Sequence, residues 1–225
     1  MSSGRITLLI AEDDYLVREG ARAAVTADPR IEVLGTAGDP EELLGLLAVQ
    51  VPDVVLLDIR MPPTFSVEGI ELAQHVRATH PEVGIVVLSQ HDDPEYALEL
   101  LKDGSRGLAY LLKERLGDAE RLLQAIDEVR TGGSMLDPRI VEALLEAQRR
   151  RTASRLKGLT PRELDVLALM ASGRGNAAIA RELTITERSV EKHSNAIFRK
   201  LSLAEETDLN RRVAAVLFYL QRSHD

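Results

Sequence analysis

Asp58 closes the apolar run Val54-Val55-Leu56-Leu57 and is followed, after Ile59-Arg60, by a Met61-Pro62-Pro63 turn. A run of that kind points side chains to both faces of a sheet and must be covered on both, as in parallel sheets flanked by helices. Asp58 then stands at the carboxyl edge of the sheet, where ligand crevices open. Glu12-Asp13-Asp14 follows a second apolar run, so several carboxylates gather beside Asp58. Oxygen-only ligands suit a hard cation, and a few carboxylates that leave positions for water and phosphate suit Mg²⁺. Ser89 ends Ile85-Val86-Val87-Leu88, and Lys113 lies beyond Tyr110-Leu111-Leu112 at an exposed strand edge. One acidic residue at a strand end is ordinarily a helix cap. Carboxylates, a hydroxyl and an ammonium at four strand ends outweigh that reading and point to one shared site at the sheet edge.

These groups need a scaffold that brings four strand ends to one edge. Apolar runs at 6–11, 31–37, 53–58, 85–89 and 108–112 alternate with helical patterns near 15–27, 40–49, 68–79, 94–103 and 118–131. The alternation predicts an α/β doubly wound, five-stranded parallel sheet with helices on both faces over residues 1–131. After Thr131-Gly132-Gly133, a helical pattern opens with Asp137 as N-cap and Pro138 in the first turn, and reads as an interdomain linker over 132–155. From Leu159 the strand signal is absent, and residues 156–225 read as an all-α, four-helix domain. Thr160-Pro161-Arg162-Glu163 is a capping box that starts the first helix, which Gly173-Arg174-Gly175 stops. A short helix over Asn176-Ala177-Ala178-Ile179 and beyond, a tight turn from Leu183 to Thr186 and a third helix from Glu187 form a helix-turn-helix pattern. A fourth helix, from Arg211 to about Gln221, offers Val213, Val216, Leu217 and Leu220 as a packing stripe.

A chain of 225 residues is comfortable as two domains, each able to bury a core. The absence of cysteine excludes disulfides, thiolate metal sites and a cysteine nucleophile. The apolar runs are far short of a membrane span, and Met1-Ser2-Ser3-Gly4 leads straight into a strand pattern, so a cytoplasmic protein with no membrane partner is expected. A net charge of −8 alone argues against nucleic acid, but residues 1–130 carry 12 Lys and Arg against 24 Asp and Glu, while residues 155–225 carry 12 against 9. An acidic half joined to a mildly basic half fits a regulatory domain beside a nucleic-acid-binding one, because phosphate contacts require local positive charge.

Four separated motifs, Ala11-Glu12-Asp13, Leu56-Leu57-Asp58-Ile59-Arg60-Met61-Pro62, Val86-Val87-Leu88-Ser89-Gln90 and Tyr110-Leu111-Leu112-Lys113, resemble the receiver domain of bacterial response regulators in type and order. The resemblance covers nearly all of residues 5–130. It implies a flavodoxin-like fold in which Asp58 accepts a phosphoryl group from the phosphohistidine of a sensor histidine kinase. It also implies that Glu12 and Asp13 hold Mg²⁺ beside Asp58, with the backbone carbonyl of Arg60 as a further ligand. Lys113 then offsets charge on the phosphoryl oxygens, Ser89 hydrogen-bonds the new phosphate, and Tyr110 swings inward as a switch. Asp14 is left solvated or capping the next helix. The segment from Pro62 to Gly69 is longer than the usual receiver turn. A haloacid-dehalogenase-like phosphatase would need a second aspartate where Arg60 stands, and no Gly-Lys-Ser/Thr phosphate loop occurs, so the chain is not expected to be an enzyme.

Residues 159–203 resemble the LuxR-type helix-turn-helix of NarL/FixJ-type response regulators, through the Leu159-Thr160-Pro161-Arg162-Glu163 opening, Asn176-Ala177-Ala178-Ile179-Ala180 and the start of the third helix, Thr186 to His193. Helical spacing directs Leu164, Val166, Leu167, Ile179, Leu183, Val190, Ile197 and Leu201 inward. Arg188, Glu191, Lys192 and Asn195 then share an exposed face of the recognition helix, at spacings that make neighbours. Lys192 and Asn195 have the groups that read purine edges, and Glu191, where many relatives carry lysine, can accept from cytosine. Arg199 and Lys200 are expected to meet phosphates. The whole reads as a DNA-binding transcriptional response regulator, partnered by a sensor kinase and double-stranded promoter DNA, and a homodimer on activation. The alternative is a regulator independent of phosphorylation, whose receiver senses another ligand or a protein partner.

Overall fold

Four apolar runs are buried nearly from end to end because both of their faces are covered. They form β1 (Ile6–Ala11), β3 (Val54–Asp58), β4 (Gly84–Ser89) and β5 (Leu108–Leu112). β2 (Ile31–Ala37) lies at one edge and β6 (Ser134–Leu136) at the other, giving the parallel order β2-β1-β3-β4-β5-β6. This computed structural model describes residues 5–203 and 211–220, apart from the Arg115 side chain, so the expected end of the last helix at Gln221 lies outside it.

Side chains alternate across the strands and build two cores. Leu9, Val55, Leu57, Ile85, Val87, Tyr110 and Leu112 face α2 (Pro40–Val49), α3 (Glu68–Thr79) and α4 (Pro94–Leu101). Leu8, Ile10, Leu56, Val86, Leu88 and Leu111 face α1 (Tyr15–Thr26) and α5 (Ala119–Arg130). Aspartates start four of these helices: the carboxylates of Asp14, Asp39, Asp93 and Asp118 accept from first-turn backbone N–H groups. Asp14 is thereby a cap. The strand order reverses at the β1–β3 pair, and a crevice opens beyond the carboxyl ends of strands at such a reversal. The register pairs Ala11 with Leu57, Asp58 with Leu88 and Ser89 with Leu112, so Glu12, Asp58, Ser89 and Lys113 leave the sheet at nearly one level.

The sheet has six strands where five were expected. β6 has three residues, too few for a period to show, and follows two glycines. It pairs with β5 from Leu108–Ser134 to Tyr110–Leu136, and the Asp137 N–H then donates to the Tyr110 carbonyl at 2.9 Å. α6 (Pro138–Lys157) begins there, with the Asp137 carboxylate accepting from the Arg139 N–H at 3.0 Å. Ile140 is fully buried with Tyr110 and Leu112, and Leu144 packs on the same cluster. The chain divides into two compact units, Met1–Leu144 and Leu145–Asp225. Residues 132–144, read from sequence as part of the linker, therefore belong to the sheet's own core, because Leu136, Ile140 and Leu144 cover apolar surface on that side.

In the second unit α7 (Pro161–Ala171), α8 (Asn176–Leu183), α9 (Glu187–Lys200) and α10 (Arg211–Leu220) enclose Val166, Leu167, Ile179, Val190, Ile197 and Leu201. The packing stripe expected on α10 is rotated. Ala214 and Ala215 are buried and Val216, Phe218 and Tyr219 pack beside them, while Val213, Leu217 and Leu220 are about half exposed. Small residues let α10 approach its neighbours closely, which leaves Val213, Leu217 and Leu220 turned outward.

Ile140→Ala should lower the stability of the amino-terminal unit by about 2–5 kcal/mol, the usual cost of emptying a well-packed aliphatic site. Hydrogen exchange at the β5 amides under mild denaturant reads this directly; unchanged protection would detach the start of α6 from that core.

Candidate functional site

Beyond the ends of β1 and β3, one carboxylate oxygen each from Glu12, Asp13 and Asp58 lies within 4.8 Å of the others. Lys113, the residue after β5, sets its ammonium 2.8 Å from the Glu12 carboxylate and 3.0 Å from Asp58 Oδ2. Glu12 and Asp58 are buried, and only 18% of the Lys113 side chain is exposed. The lysine is therefore not the exposed strand-edge residue expected from sequence. Two buried carboxylates hold it inward, since leaving either uncompensated would be costly.

Three carboxylates cluster around a site where one ammonium reaches only two of them, so the site is short of positive charge. Burial pushes Glu12 up to about 7; Lys113 opposes the shift and the charge of Asp58 adds to it. Burial likewise raises Asp58 above the usual carboxylate range against the pull of Lys113, with Asp13 adding to the rise. Burial works against the charge on Lys113, but Glu12 and Asp58 outweigh it and hold the ammonium above its ordinary range. Both Glu12 oxygens lie 2.8 Å from Lys113 Nζ, yet only Oε1 has hydrogen-bond geometry; Oε2 is ion-paired with the ammonium but has no hydrogen-bond partner among the described residues. A buried, undonated carboxylate oxygen beside two further carboxylates fits a small divalent cation with oxygen ligands.

These residues line a cavity of about 580 Å³ with Arg60, Phe65, Ser89 and His91. Ser89 is buried; its hydroxyl donates to the His91 carbonyl at 2.7 Å and accepts from the His91 N–H at 3.2 Å. Tyr110 does not stand partly exposed as a residue awaiting an inward swing would. Its ring is already fully buried in the core, and burial pushes its pKa up to about 12. Ser89 lies close enough to temper that rise, but no bond of normal geometry reaches the phenol oxygen, which has no hydrogen-bond partner among the described residues. Arg60 turns its guanidinium outward, over the Tyr96 ring at 5.7 Å and 3.2 Å from the Tyr96 hydroxyl.

In the second unit Thr186 caps α9 by accepting from the Ser189 N–H, and Thr184 takes a left-handed conformation, φ 54°, in the turn before it. Arg188, Glu191, Lys192, Asn195 and Arg199 are all exposed. At about 100° per residue they fall within one broad stripe. Lys200 is rotated off that stripe. Its ammonium lies 2.7 Å from Glu163 Oε2, and Glu163 is buried in the α7 capping box, where Oε2 also accepts from the Thr160 N–H at 2.7 Å. The phosphate anchor expected at Lys200 is thus an intradomain ion pair between α7 and α9.

Residues 8–127 match the response regulator receiver domain, and residues 157–213 match the bacterial regulatory proteins of the luxR family. The transcriptional regulatory protein DegU of Brevibacillus brevis is 33% identical over 92% of each chain. The oxygen regulatory protein NreC of Staphylococcus carnosus is 31% identical over 90% of this chain and 94% of that one. The chain is a LuxR-type response regulator. Its fold is similar to that of the RcsB response regulator of Salmonella typhimurium, with a TM-score of 0.58 at 24% identity over 97% of this chain and 99% of that one. A LuxR-family two-component response regulator from Aurantimonas sp. SI85-9A1 aligns over 64% of this chain and 99% of that chain, with a TM-score of 0.55 at 26% identity. The regulator is accordingly a DNA-binding transcription regulator of two-component systems, and no described helix is long and apolar enough to cross a membrane.

Three residues that frame the regulator's acidic site were not singled out in the sequence. A Cβ on Gly69 would lie 1.8 Å from the Asp58 carbonyl oxygen, so the start of α3 presses on the Asp58 backbone where only glycine fits. Glu68, also buried, accepts from the N–H groups of Thr64 at 3.0 Å and Ser66 at 2.8 Å and from the Thr64 hydroxyl, which ties down the long loop. Phe65, in that loop, reaches the cavity. The signal available for all three was the length of the segment between Met61 and Gly69.

Arg199 and Lys200 should separate in experiment. Burial works against the charge on Glu163, but its bonds to Lys200 and Thr160 hold the carboxyl below its ordinary 4.5. Lys200→Ala should cost the carboxyl-terminal unit about 1.5–3 kcal/mol, the range for a hydrogen bond to a charged group. A depressed carboxylate pKa stabilises above the unfolded value, so the difference from wild type should be full above pH 4.5 and fade as pH falls through the folded pKa. Arg199→Ala should leave stability unchanged and flatten the salt dependence of DNA binding by about one unit of slope. Denaturation at several pH values and binding titrations at several salt concentrations check the pair; equal stability of the two variants would return Lys200 to the DNA-facing set.

Proposed function

We propose that Asp58 of this regulator accepts a phosphoryl group from the phosphohistidine of a sensor kinase, and that the modified receiver alters promoter binding by the carboxyl-terminal unit as a homodimer. The observation that carries the reading is the Lys113 ammonium bridging Glu12 and Asp58 in a buried pocket short of positive charge. In the transfer, an Asp58 carboxylate oxygen bonds to phosphorus as the phosphorus–nitrogen bond breaks, with the electron pair staying on the imidazole. Glu12, Asp13, Asp58 and the backbone carbonyl of Arg60 would hold Mg²⁺, which supplies further neutralisation of the phosphoryl oxygens when bound. Lys113 already touches the acceptor and needs little movement to meet a phosphoryl oxygen. Ser89 would exchange its His91 contacts for the phosphate, and the fully buried Tyr110 lies within the same β4–β5 register to follow that exchange.

The acceptor role makes the regulator a recipient of phosphoryl groups and not an enzyme acting on other molecules. On α9, Lys192 and Asn195 are the residues proposed to read bases, with Arg188 and Glu191 beside them and Arg199 on phosphate. Pairing of two copies is supported by Val213, Leu217 and Leu220 on α10, an exposed apolar stripe at helical spacing. RcsB has been solved as dimers bound to DNA; the same assembly is proposed for this chain.

A small-molecule phosphodonor with Mg²⁺ should add one acid-stable, base-labile phosphoryl group to the wild type and none to Asp58→Asn, read by intact mass; equal labelling of both would overturn the acceptor assignment. In DNA binding, Lys192→Ala and Asn195→Ala should each relax preference at particular base positions, by about 1–3 kcal/mol per contact. Titration against a series of single-base variants of a bound site tests this, and a uniform loss across the series would move both residues to the phosphate-contacting set.

A further inference from the structure

Phe65 combines three features that packing does not explain together. Its backbone is left-handed, φ 57°, a conformation rare for a bulky residue. Its side chain is 53% exposed, so burial offsets little of that cost. It nevertheless sits in a loop that is firmly held: the Phe65 N–H donates to the Met61 carbonyl at 3.0 Å, and the Glu68 carboxylate gathers donors from the residues on either side, Thr64 and Ser66. An outlier maintained by its surroundings points to function when it stands at a site. Phe65 lines the Asp58 cavity and is the largest apolar residue of a lining dominated by polar and charged groups.

We infer that Phe65 is a positioning residue that restricts the approach of water to phosphorylated Asp58 and so prolongs the life of the acyl phosphate, an inference that rests on the acceptor role of Asp58. Loss of the phosphoryl group requires a water oxygen to bond to phosphorus from the side opposite the Asp58 oxygen. The phosphorus–oxygen bond to Asp58 then breaks, its electron pair returns to the carboxylate, and inorganic phosphate and a proton leave. Asp58 is buried and Phe65 is half exposed on the same cavity, so water must approach Asp58 from solvent past the residues at the exposed wall, Phe65 among them. An apolar ring in that wall offers water no hydrogen bond; excluding water from a reactive intermediate is a general way to preserve it. The same ring slows a small phosphodonor, which enters past that wall too.

The test uses the full chain labelled with acetyl phosphate and Mg²⁺, freed of donor, and followed by intact mass as the phosphoryl group is lost. Phe65→Gly and Phe65→Ser should lose it several-fold faster than wild type and also label faster, while Phe65→Leu, which keeps apolar bulk, should stay near wild type. Phe65→Gly should melt no lower than wild type, because glycine takes the left-handed backbone without strain. A merely structural role would predict slower labelling in the Gly and Ser variants. That result, or decay unchanged from wild type, or a Leu variant as fast as the Gly variant, would overturn the inference while leaving Asp58 as acceptor. A wild-type chain that takes no label at Asp58 would overturn the acceptor reading and this inference with it.

Discussion

The bridging of Glu12 and Asp58 by a single lysine ammonium is the interaction on which the amino-terminal unit is organised. Like charges in a buried site repel strongly, and the one ammonium reaches only two of the three clustered carboxylates. The remainder of the unit holds them there regardless. β1 and β3 are tied in register, α3 is pressed against the Asp58 carbonyl at Gly69, and the long loop is drawn around Glu68. The unit is thus built with an electrostatic deficit at one edge, which a bound cation or protonation of a carboxylate would relieve.

The first unit was legible where long-range order follows from local pattern. Apolar runs such as Val54–Leu57 and Ile85–Leu88 mark buried strands because no polar face interrupts them, and the residues ending them inherit a common position from the parallel register. Side-chain depth was less legible. Lys113 and Tyr110 look alike in sequence whether exposed or buried, since their depth depends on groups brought from other strands and from α6. β6 escaped notice for a different reason: three residues carry no periodic signal, and the pairing that defines the strand comes wholly from β5.

The helical unit shows the same division. Its caps and core positions follow from spacing and from the Thr160–Glu163 box, whereas the roles of adjacent residues on α9 required the surrounding helices. Arg199 and Lys200 are consecutive basic residues at a helix end, but one turns to solvent and the other to a buried carboxylate on α7. On α10 the large aliphatic residues suggested the inner face, but Ala214 and Ala215 are its buried positions, with only Val216 of the expected stripe packed beside them.

β6 also determines what the sheet presents to other molecules. A strand with one unpaired side carries a row of free N–H and C=O groups, a template for edge-to-edge association. β5, whose side chains are buried throughout, would present such a row if the chain stopped at Thr131, and the loss of Ile140 and Leu144 would bare apolar surface next to it. Three residues of β6 occupy that row, and the first turns of α6 shield the surface. The segment that leads toward the DNA-binding helices is therefore also the selvage of the sheet, and a receiver fragment trimmed before it would be prone to stick to its own copies.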